Sequence, residues 1–350
     1  MIEPFWEQAY SDPNADAFSK GPTGDLKEYV DLLKPHARVL DVGCGEGRNS
    51  IFLAARGHIV DAFDISAAGI ASAKRRAAER RLDIRFWLED LAGFTFLRTY
   101  DVILSHGVLH LPEKAVRDEF LKQARAHTKV GGLHFIGVFT NRLPAAPDMR
   151  PFTKSLFDVG ELPAQYAGWD LIHHWEGVIH DEHPGGIKHE HACERVIARK
   201  PEFRRIKENK KEYLPLLLLA DEDERMIDRY LERGDLFALY LGEELVGVSV
   251  VSDEGGGVLE LQNIAVAEYR QGQHWGVRMV KFLLRHYRKK GKTMLVGTGN
   301  VPSAVQFYRH CGFKVSHYLP DYFIRHYDHP MYEDGVQLRD KVYLTIELGE

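Results

Sequence analysis

Three features are scarce in this 350-residue chain: cysteine, long apolar runs and excess basic charge. Its three cysteines, Cys44, Cys193 and Cys311, show no CxxC spacing, which argues against a disulfide framework or a thiolate zinc site and favours a reducing cytoplasm. The longest apolar stretch, residues 213–220, contains Pro215 and is far too short to span a bilayer. A net charge of −5 provides no basic field for nucleic acid. The first residues contain neither a basic leader nor an apolar core, so we expect no signal peptide.

The chain is long enough for two domains, and its two halves differ in the order of their elements. Strands and helices alternate from the apolar run at 37–42 onward, which predicts a parallel sheet covered by helices on both faces. Residues 168–180 and 191–199 are predicted as two more strands at an antiparallel edge. We therefore predict an α/β, Rossmann-like domain at residues 1–200 and a second domain at residues 201–350.

The second half has an α+β order. A strand at 203–207 leads into a long predicted helix over 209–233. Three strands between 235 and 266 are predicted as an antiparallel meander, and an amphipathic, basic helix follows at 274–290. This change of pattern places the domain boundary near residue 200.

A glycine-rich turn follows the first predicted strand and precedes a helix, with the sequence Asp41-Val42-Gly43-Cys44-Gly45-Glu46-Gly47. Glycine is needed in such a turn because the chain bends tightly and its backbone must approach a ligand without a Cβ in the way. Asp64 ends the next strand, where a carboxylate can accept both ribose hydroxyls of an adenosine-containing ligand. The pattern indicates an S-adenosylmethionine (SAM) site. The alternatives are a dinucleotide site and an incidental glycine-rich turn.

This turn resembles motif I of the class I SAM-dependent methyltransferases, and the resemblance covers about residues 1–200. The Trp6…Tyr10 arm and the segments VDAFDIS and HGVLH are similar to the small-molecule branch that includes tellurite-resistance and thiopurine methyltransferases. The resemblance implies that the glycines line the methionine part of SAM and that Asp64 holds the ribose. It also implies that Asp90 lies near the adenine amine. The cofactor-binding residues predicted in this half are Asp41, Gly43, Gly45, Asp64, Asp90 and Ser105.

His106 is the predicted catalytic residue of the first domain. Methyl transfer from a sulfonium is an in-line displacement, so positioning carries most of the rate, and a base is needed only for a protonated acceptor. His106 lies at the end of the fourth predicted strand, where such a base would be placed, and packing against the cofactor is the alternative role. For His110 we favour a packing role.

Six of the 18 histidines fall within residues 173–191, among several carboxylates. Imidazole and carboxylate together form a metal-ligand set, and His189 and His191 would share one face of an extended strand. No HExxH-like spacing occurs, so we predict a polar hairpin with Pro184-Gly185-Gly186 at its tip and no metal. A hairpin that contacts substrate without a metal is a further alternative. The six histidines are His173, His174, His180, His183, His189 and His191.

A second glycine-containing loop follows the strand at 258–266 and precedes a helix. Free N–H groups at the start of a helix form an anion site that suits the pyrophosphate of coenzyme A, and a plain helix cap is the alternative. The loop Gln271-Gly272-Gln273-His274-Trp275-Gly276 resembles motif A of the GNAT acetyltransferase superfamily, and the resemblance covers about residues 203–348. His274 stands where the first motif glycine is usual, and its Cβ restricts the loop while its N–H stays available. The bulky Trp275 is also unusual there.

A later segment, from Gly297 to Phe313, resembles a second GNAT motif. The resemblance implies that Asn300 contacts pantetheine and that Tyr308 gives a proton to the thiolate leaving group. It also implies that the Val266 N–H stabilises the oxyanion and that Glu260 removes the proton from the amine. Tyr308 as a core aromatic and Glu260 as a solvent-facing residue are the alternatives.

The sequence therefore predicts a cytoplasmic enzyme that joins a Rossmann-like SAM methyltransferase domain to an α+β GNAT acetyltransferase domain. SAM and acetyl-CoA are the predicted cofactors, and small molecules are the predicted substrates, in detoxification, resistance or metabolite tailoring. The alternative is one active transferase whose other domain senses a cofactor or acts as a scaffold. We expect no nucleic-acid partner and no membrane partner, and a homo-oligomer is compatible with the sequence.

Overall fold

The computed structural model describes residues 4–11, 21–183 and 187–349. The chain divides into two compact units, Met1–Pro201 and Glu202–Glu350. Within the described residues, no helix has the length and apolar character needed to cross a membrane. The predicted hairpin tip at residues 184–186 lies outside the described part of the chain.

The first unit is built on a twisted sheet with the strand order β3-β2-β1-β4-β5-β7-β6. The pairs from β3 to β5 are parallel, whereas β7 runs antiparallel to both β5 and β6. The predicted antiparallel edge is thereby confirmed. The strands are β1 (Arg38–Val42), β2 (Ile59–Asp64), β3 (Ile84–Leu88), β4 (Tyr100–His106), β5 (Thr128–Phe139), β6 (Asp170–His183) and β7 (Ile187–Arg199).

Helices cover both faces of this sheet, because each helix buries one apolar stripe against it. One apolar cluster includes Leu26, Ile51 and Phe135, and a second includes Leu40 and Phe120. Parallel strands covered on both faces are the α/β architecture that the alternating pattern predicts, and this fold class is confirmed. The helices are α1 (Phe5–Ser11), α2 (Gly24–Tyr29), α3 (Arg48–Ala54), α4 (Ala67–Glu79), α5 (Lys114–Ala126) and α6 (Glu161–Ala164).

The second unit contains a mostly antiparallel sheet with the order β13-β16-β12-β11-β10-β9-β8. The pair β11/β12 is parallel, so the unit has the predicted α+β character. A separate short hairpin joins β14 to β15. The strands are β8 (Glu202–Ile206), β9 (Asp235–Leu241), β10 (Glu244–Gly255), β11 (Val258–Val266), β12 (Thr293–Gly299), β13 (Lys314–Leu319), β14 (Tyr332–Glu333), β15 (Val336–Gln337) and β16 (Lys341–Glu347).

The prediction of one long helix over residues 209–233 is wrong. The structure has a 3₁₀ turn and two separate α-helices there, because aspartates between them bind backbone N–H groups that a continuous helix would use. Asp221 accepts from the Asp223 N–H over 3.2 Å, and Asp223 accepts from the Arg225 N–H over 2.9 Å as the N-cap of the second helix. The helices of this unit are α7 (Leu214–Leu217), α8 (Glu224–Leu231), α9 (Trp275–Tyr287), α10 (Pro302–His310) and α11 (Tyr322–His326).

Candidate cofactor and active sites

The glycine turn after β1 is fastened to the end of β2. The Gly43 N–H donates to the carbonyl of Phe63 over 2.9 Å. Gly43 and Gly45 have φ angles of +66° and +51°, which side chains of L-residues rarely adopt. A Cβ on Gly43 would lie 2.1 Å from Val108 Cγ2, and one on Gly45 would lie 2.5 Å from the Tyr10 hydroxyl. Conformation and packing therefore both require glycine at these two positions.

Asp64 ends β2, and its carboxylate is bound to the same turn. Its Oδ2 accepts from the Gly45 N–H over 2.7 Å, and its Oδ1 accepts from the Ser66 N–H over 2.8 Å. Burial raises the pKa of Asp64, and these two backbone N–H groups oppose that rise. Each carboxylate oxygen keeps a second lone pair, so Asp64 can still accept hydroxyl groups from a ligand.

The turn opens onto a cavity of about 1050 Å³. This volume lies at the upper end of the range for ligand sites and leaves room for a nucleoside-sized cofactor and a small acceptor. Ser105 is fully buried and is not among the described residues that line the cavity. The residues predicted from sequence that do line it are Asp41, Gly43, Gly45, Asp64, Asp90 and His106.

His106 is held by a carboxylate, Asp25, that no sequence pattern singled out. His106 Nε2 donates to Asp25 Oδ2 over 2.8 Å, and both side chains are at most 9% exposed. Burial alone would raise the pKa of Asp25, but the charge and hydrogen bond of His106 hold it well below its usual range. Nε2 is engaged, and Nδ1 is buried without a hydrogen-bond partner among the described residues, so Nδ1 is the ring atom that a ligand could still bind. Asp25 lies 81 residues from His106 in the chain, so no local motif could have indicated the pair.

Other residues that line the cavity were also missed. Tyr10 on α1 is largely buried, and burial raises the pKa of its hydroxyl, as do the charges of Asp64 and Glu46. Arg48 at the start of α3 is half-buried, and that burial lowers its pKa. His110 lies deeper, stacked on Phe139 with ring centroids 4.2 Å apart, and burial lowers its pKa to about 3. This agrees with the packing role that we predicted for His110 from the sequence.

In the second unit, strands β11 and β12 separate where a ligand could enter. Their parallel pairing runs only from Val258 to Leu261 on β11, although β11 continues to Val266. A bulge shifts the register between β10 and β11 at Val250, which twists β11 locally. The backbone of Val266 therefore lies on a stretch of β11 that has no β12 partner among the described residues.

The predicted anion-binding loop leads into α9. The first N–H groups of α9 have no acceptor within the helix, so they are available to a phosphate. Gly272 has a φ of +74°. A Cβ on Gly276 would lie 3.2 Å from the Phe307 ring, so Gly276 lets α9 approach α10 closely. Gln271 Nε2 donates to the Val266 carbonyl over 3.1 Å and fastens the loop to β11.

The two residues that depart from the motif have separate structural explanations. His274 is the N-cap of α9 with a φ of +64°, a left-handed conformation in which glycine is favoured. Trp275 is 2% exposed and packs with Leu241 and Met279, so its side chain belongs to the core and only its backbone can meet a ligand. Gln273 beside them is exposed.

Tyr308 and Asn300 lie at opposite extremes of burial. Tyr308 is 8% exposed and packs among the apolar residues beneath α10, and this burial raises the pKa of its hydroxyl. It therefore keeps its proton at neutral pH. Asn300 is exposed after the last residue of β12, with its N–H bonded to the Asp340 carbonyl over 3.1 Å.

Glu260 is part of a polar and aromatic cluster on β11 and β16. Glu260 Oε1 accepts from the Tyr343 hydroxyl over 3.2 Å. The Lys341 ammonium lies 4.9 Å from the centre of the Tyr343 ring and 4.8 Å from that of Tyr322. Burial lowers the pKa of Lys341, and the charges of Glu260 and Asp221 oppose this. Glu260 is half-buried beside the Tyr343 hydroxyl that it binds.

Family comparisons assign each half of the chain separately. The family model described as tellurite resistance protein TehB matches residues 14–189, which is half of the chain. The chain belongs to the TehB family. A GNAT acetyltransferase domain model matches residues 232–315 in addition to the TehB match. The chain is therefore an enzyme with a TehB-type methyltransferase domain and a GNAT domain.

Individual relatives show the same division. An uncharacterized N-acetyltransferase, YvbK of Bacillus subtilis, is 38% identical over 143 residues, which is 40% of this chain and 92% of that protein. The probable SAM-dependent methyltransferase TehB of Haemophilus influenzae is 30% identical over 181 residues, covering 51% of this chain. The chain spans 62% of the length of that TehB relative. A crystal structure of a Bacillus subtilis acetyltransferase in complex with CoA is 35% identical, with a TM-score of 0.41, and the match covers 42% of this chain and 99% of that one.

Proposed function

We propose that this chain is a bifunctional small-molecule transferase, which methylates one acceptor from SAM and acetylates an amine from acetyl-CoA. One observation carries the proposal: each unit has a glycine-bearing turn beside a space for a nucleotide-derived donor. In the TehB domain the turn at Gly43 and Gly45 borders the cavity. In the GNAT domain the loop at Gly272 lies beyond the point where β11 and β12 separate.

In the TehB domain, Asp64 and Asp90 would hold the ribose and the adenine of SAM, which supplies an electrophilic methyl group when bound. His106 acts on the acceptor. When the His106 ring is neutral, the Asp25 carboxylate holds its proton on Nε2, so Nδ1 is the atom that would take the acceptor's proton as the new bond to carbon forms. Asp25 is thus a positioning residue for His106.

In the GNAT domain, the loop 271–276 would hold the pyrophosphate of acetyl-CoA, which supplies the thioester, and Asn300 would lie along pantetheine. Glu260 takes the proton from the attacking amine, and the Val266 N–H stabilises the oxyanion. The Tyr308 hydroxyl would give its proton to the departing thiolate, although the burial that raises its pKa makes it a weaker acid than a free tyrosine.

Calorimetry on the full chain tests the proposal with SAM and acetyl-CoA titrated separately. Asp64→Asn removes the charge that would accept the ribose hydroxyls and should weaken SAM binding by about tenfold or more. Asp61→Asn is the matched control, because Asp61 is a buried aspartate of the same strand that bonds to Tyr100 instead. Equal SAM affinity in Asp64→Asn and the wild type would contradict the assigned site.

The second candidate is a single active transferase whose GNAT domain senses or binds a ligand. The left-handed His274 favours it, because a Cβ at this position narrows the loop that would receive the pyrophosphate. In the same calorimetric titrations, a heat of binding with SAM and none with acetyl-CoA would support this candidate. A panel of metabolites and antibiotics, incubated with both cofactors and read by mass for added methyl and acetyl groups, would then identify the acceptors.

We also propose that the enzyme works in the cytoplasm, in detoxification, resistance or metabolite tailoring. Its three cysteines are buried and unbridged, which suits a reducing compartment. A fractionation of the producing cells, followed by detection of the chain, checks the location.

A further inference from the structure

One face of the β6–β7 hairpin forms a wall of the TehB-domain cavity. Side chains alternate along a strand, so the odd-numbered residues of β7 from His189 to Arg195 share one face. Across the pair, Asp181 on β6 lies directly opposite His189. Asp181, Cys193 and Arg195 all line the cavity. These three residues therefore place this face of the hairpin beside the space where an acceptor would bind.

This face brings together two imidazoles and a carboxylate that the sequence assigned to a polar hairpin. Asp181, His189 and His191 each offer a ligand atom, and these atoms all lie within 4.8 Å of one another. His191 is 3% exposed and stacks on Phe139 with ring centroids 4.0 Å apart. The His189 ring lies edge-on to His191, with centroids 4.6 Å apart. Packing thus holds His191 in place, while the Asp181 and His189 side chains are partly exposed.

We propose that Asp181, His189 and His191 bind one divalent transition-metal ion, with Zn²⁺ as the reference case. Two histidines and one carboxylate are a familiar ligand set for Zn²⁺, and three protein ligands leave a fourth position for water or substrate. With metal–ligand bonds of about 2.0 Å, tetrahedral ligand atoms lie roughly 3.3 Å apart. Binding of the ion would therefore draw the three ligand atoms, which lie within 4.8 Å of one another, closer together.

Neighbouring groups are less suited to hold the ion. Cys193 is two residues beyond His191 on the same face, but its buried thiol is directed to the backbone, where it donates to the His191 carbonyl over 3.6 Å. His180 is 81% exposed and lies 3.1 Å from Glu190, and both residues alternate onto the opposite face of the hairpin.

The catalytic role of the ion depends on the proposed methyl transfer. Binding of the ion to the three residues does not depend on it. An acceptor hydroxyl or thiol at the open position would lose its proton more readily, and that proton passes to His106 or to solvent. The acceptor's lone pair then forms a bond to the methyl carbon while the carbon–sulfur bond of SAM breaks. The electron pair stays on sulfur, leaving methylated acceptor, S-adenosylhomocysteine and one proton.

Titration with Co²⁺ tests the site on the full chain, purified without a histidine tag. We expect one ion per chain, with the visible d–d bands of a four-coordinate site, and displacement by Zn²⁺. Asp181→Asn and His189→Gln should each weaken Co²⁺ binding by about tenfold or more. His180→Gln is the matched control on the same hairpin and should bind as the wild type does. His191→Gln is buried and can affect folding, so the two partly exposed positions carry the test.

Measurement of SAM affinity on the same samples separates this proposal from the proposed function. Intact SAM binding without Co²⁺ binding, or equal Co²⁺ affinity in all variants, overturns the metal site and leaves the transferase proposal in place. Loss of Co²⁺ binding in His180→Gln also counts against it, because the ion would then lie on the other face. Co²⁺ binding without SAM binding overturns the methyltransferase role alone.

Discussion

Replacing Gly43 with alanine should destabilise the TehB domain by more than backbone strain accounts for. Two effects add at this position. The φ of +66° costs about 1 kcal/mol for a residue with a Cβ. The new Cβ would also lie 2.1 Å from Val108 Cγ2, and overpacking of this kind costs about 1–3 kcal/mol. We expect Gly43→Ala to lower the free energy of unfolding by about 2–4 kcal/mol.

Gly107 provides a control that isolates the conformational effect. It has a φ of +73°, but a Cβ there would meet no atom within 4 Å. Gly107→Ala should therefore cost only about 1 kcal/mol. Val108→Ala removes the two Cγ atoms and leaves only the Val108 Cβ, 3.1 Å from the new Cβ, so Gly43→Ala should cost clearly less in that background than in the wild type.

Urea unfolding of the full chain, followed by tryptophan fluorescence, measures these differences. Four of the five tryptophans lie in the first unit, at positions 6, 87, 169 and 175, so the signal mainly reports its unfolding. Two-unit chains can unfold in separate steps, and each transition is therefore fitted separately. Equal destabilisation by Gly43→Ala and Gly107→Ala would refute the steric argument, as would an unchanged cost in the Val108→Ala background.

Three further changes test other parts of the molecule. Asp25→Asn should destabilise the TehB domain by roughly 2 kcal/mol at neutral pH, because it removes the charge paired with His106. The folded pKa of Asp25 is depressed, so this difference should shrink as the pH falls below about 3.9, measured by urea unfolding across pH. His274→Val puts a β-branched residue at a left-handed φ and should destabilise the GNAT domain by about 1–2 kcal/mol in thermal unfolding. Glu260→Gln should lower kcat for acetyl transfer by about 10²-fold or more with the acetyl-CoA Kd unchanged.

Each of these changes has an outcome that contradicts its reasoning. For Asp25→Asn, the difference in unfolding free energy from the wild type should depend on pH. A difference that stays constant below about pH 3.9 would show that the Asp25 charge does not stabilise its pairing with His106. For His274, the comparison variant is His274→Gly, because glycine adopts the left-handed conformation without strain. Equal melting temperatures of His274→Val and His274→Gly would contradict the argument that backbone strain destabilises the valine variant. For Glu260, an unchanged kcat would leave it as a structural partner of Tyr343.

Much of the cofactor end of the first cavity follows from local sequence rules. The glycine turn, Asp64 and Asp90 lie at the carboxyl ends of parallel strands, and strand order alone brings such ends to one edge of a sheet. Ser105 is the exception. It lies one residue before His106 on β4, and alternation turns it to the other side of the strand, where it is buried.

Contacts between distant segments could not be predicted in this way. Asp25 reaches His106 because α2 packs beside β4, which no local pattern reveals. The broken helix between 209 and 233 had good helical periodicity, but side-chain hydrogen bonds at Asp221 and Asp223 compete with helix continuation. At His274, sequence reasoning identified the departure from the motif, and only the backbone shows that the residue adopts the left-handed conformation itself.

The β6–β7 hairpin pairs with the rest of the sheet along β5, on the far side from the strands that form the glycine turn. The glycine turn and the hairpin face are therefore structurally separable parts that line one cavity, and under the proposed function they would recognise donor and acceptor respectively. Substitutions on the hairpin face can alter which molecules are accepted while the turn at Gly43 stays intact. If methyl transfer takes place in this cavity as proposed, exchanging the hairpin between relatives should change which acceptors are methylated.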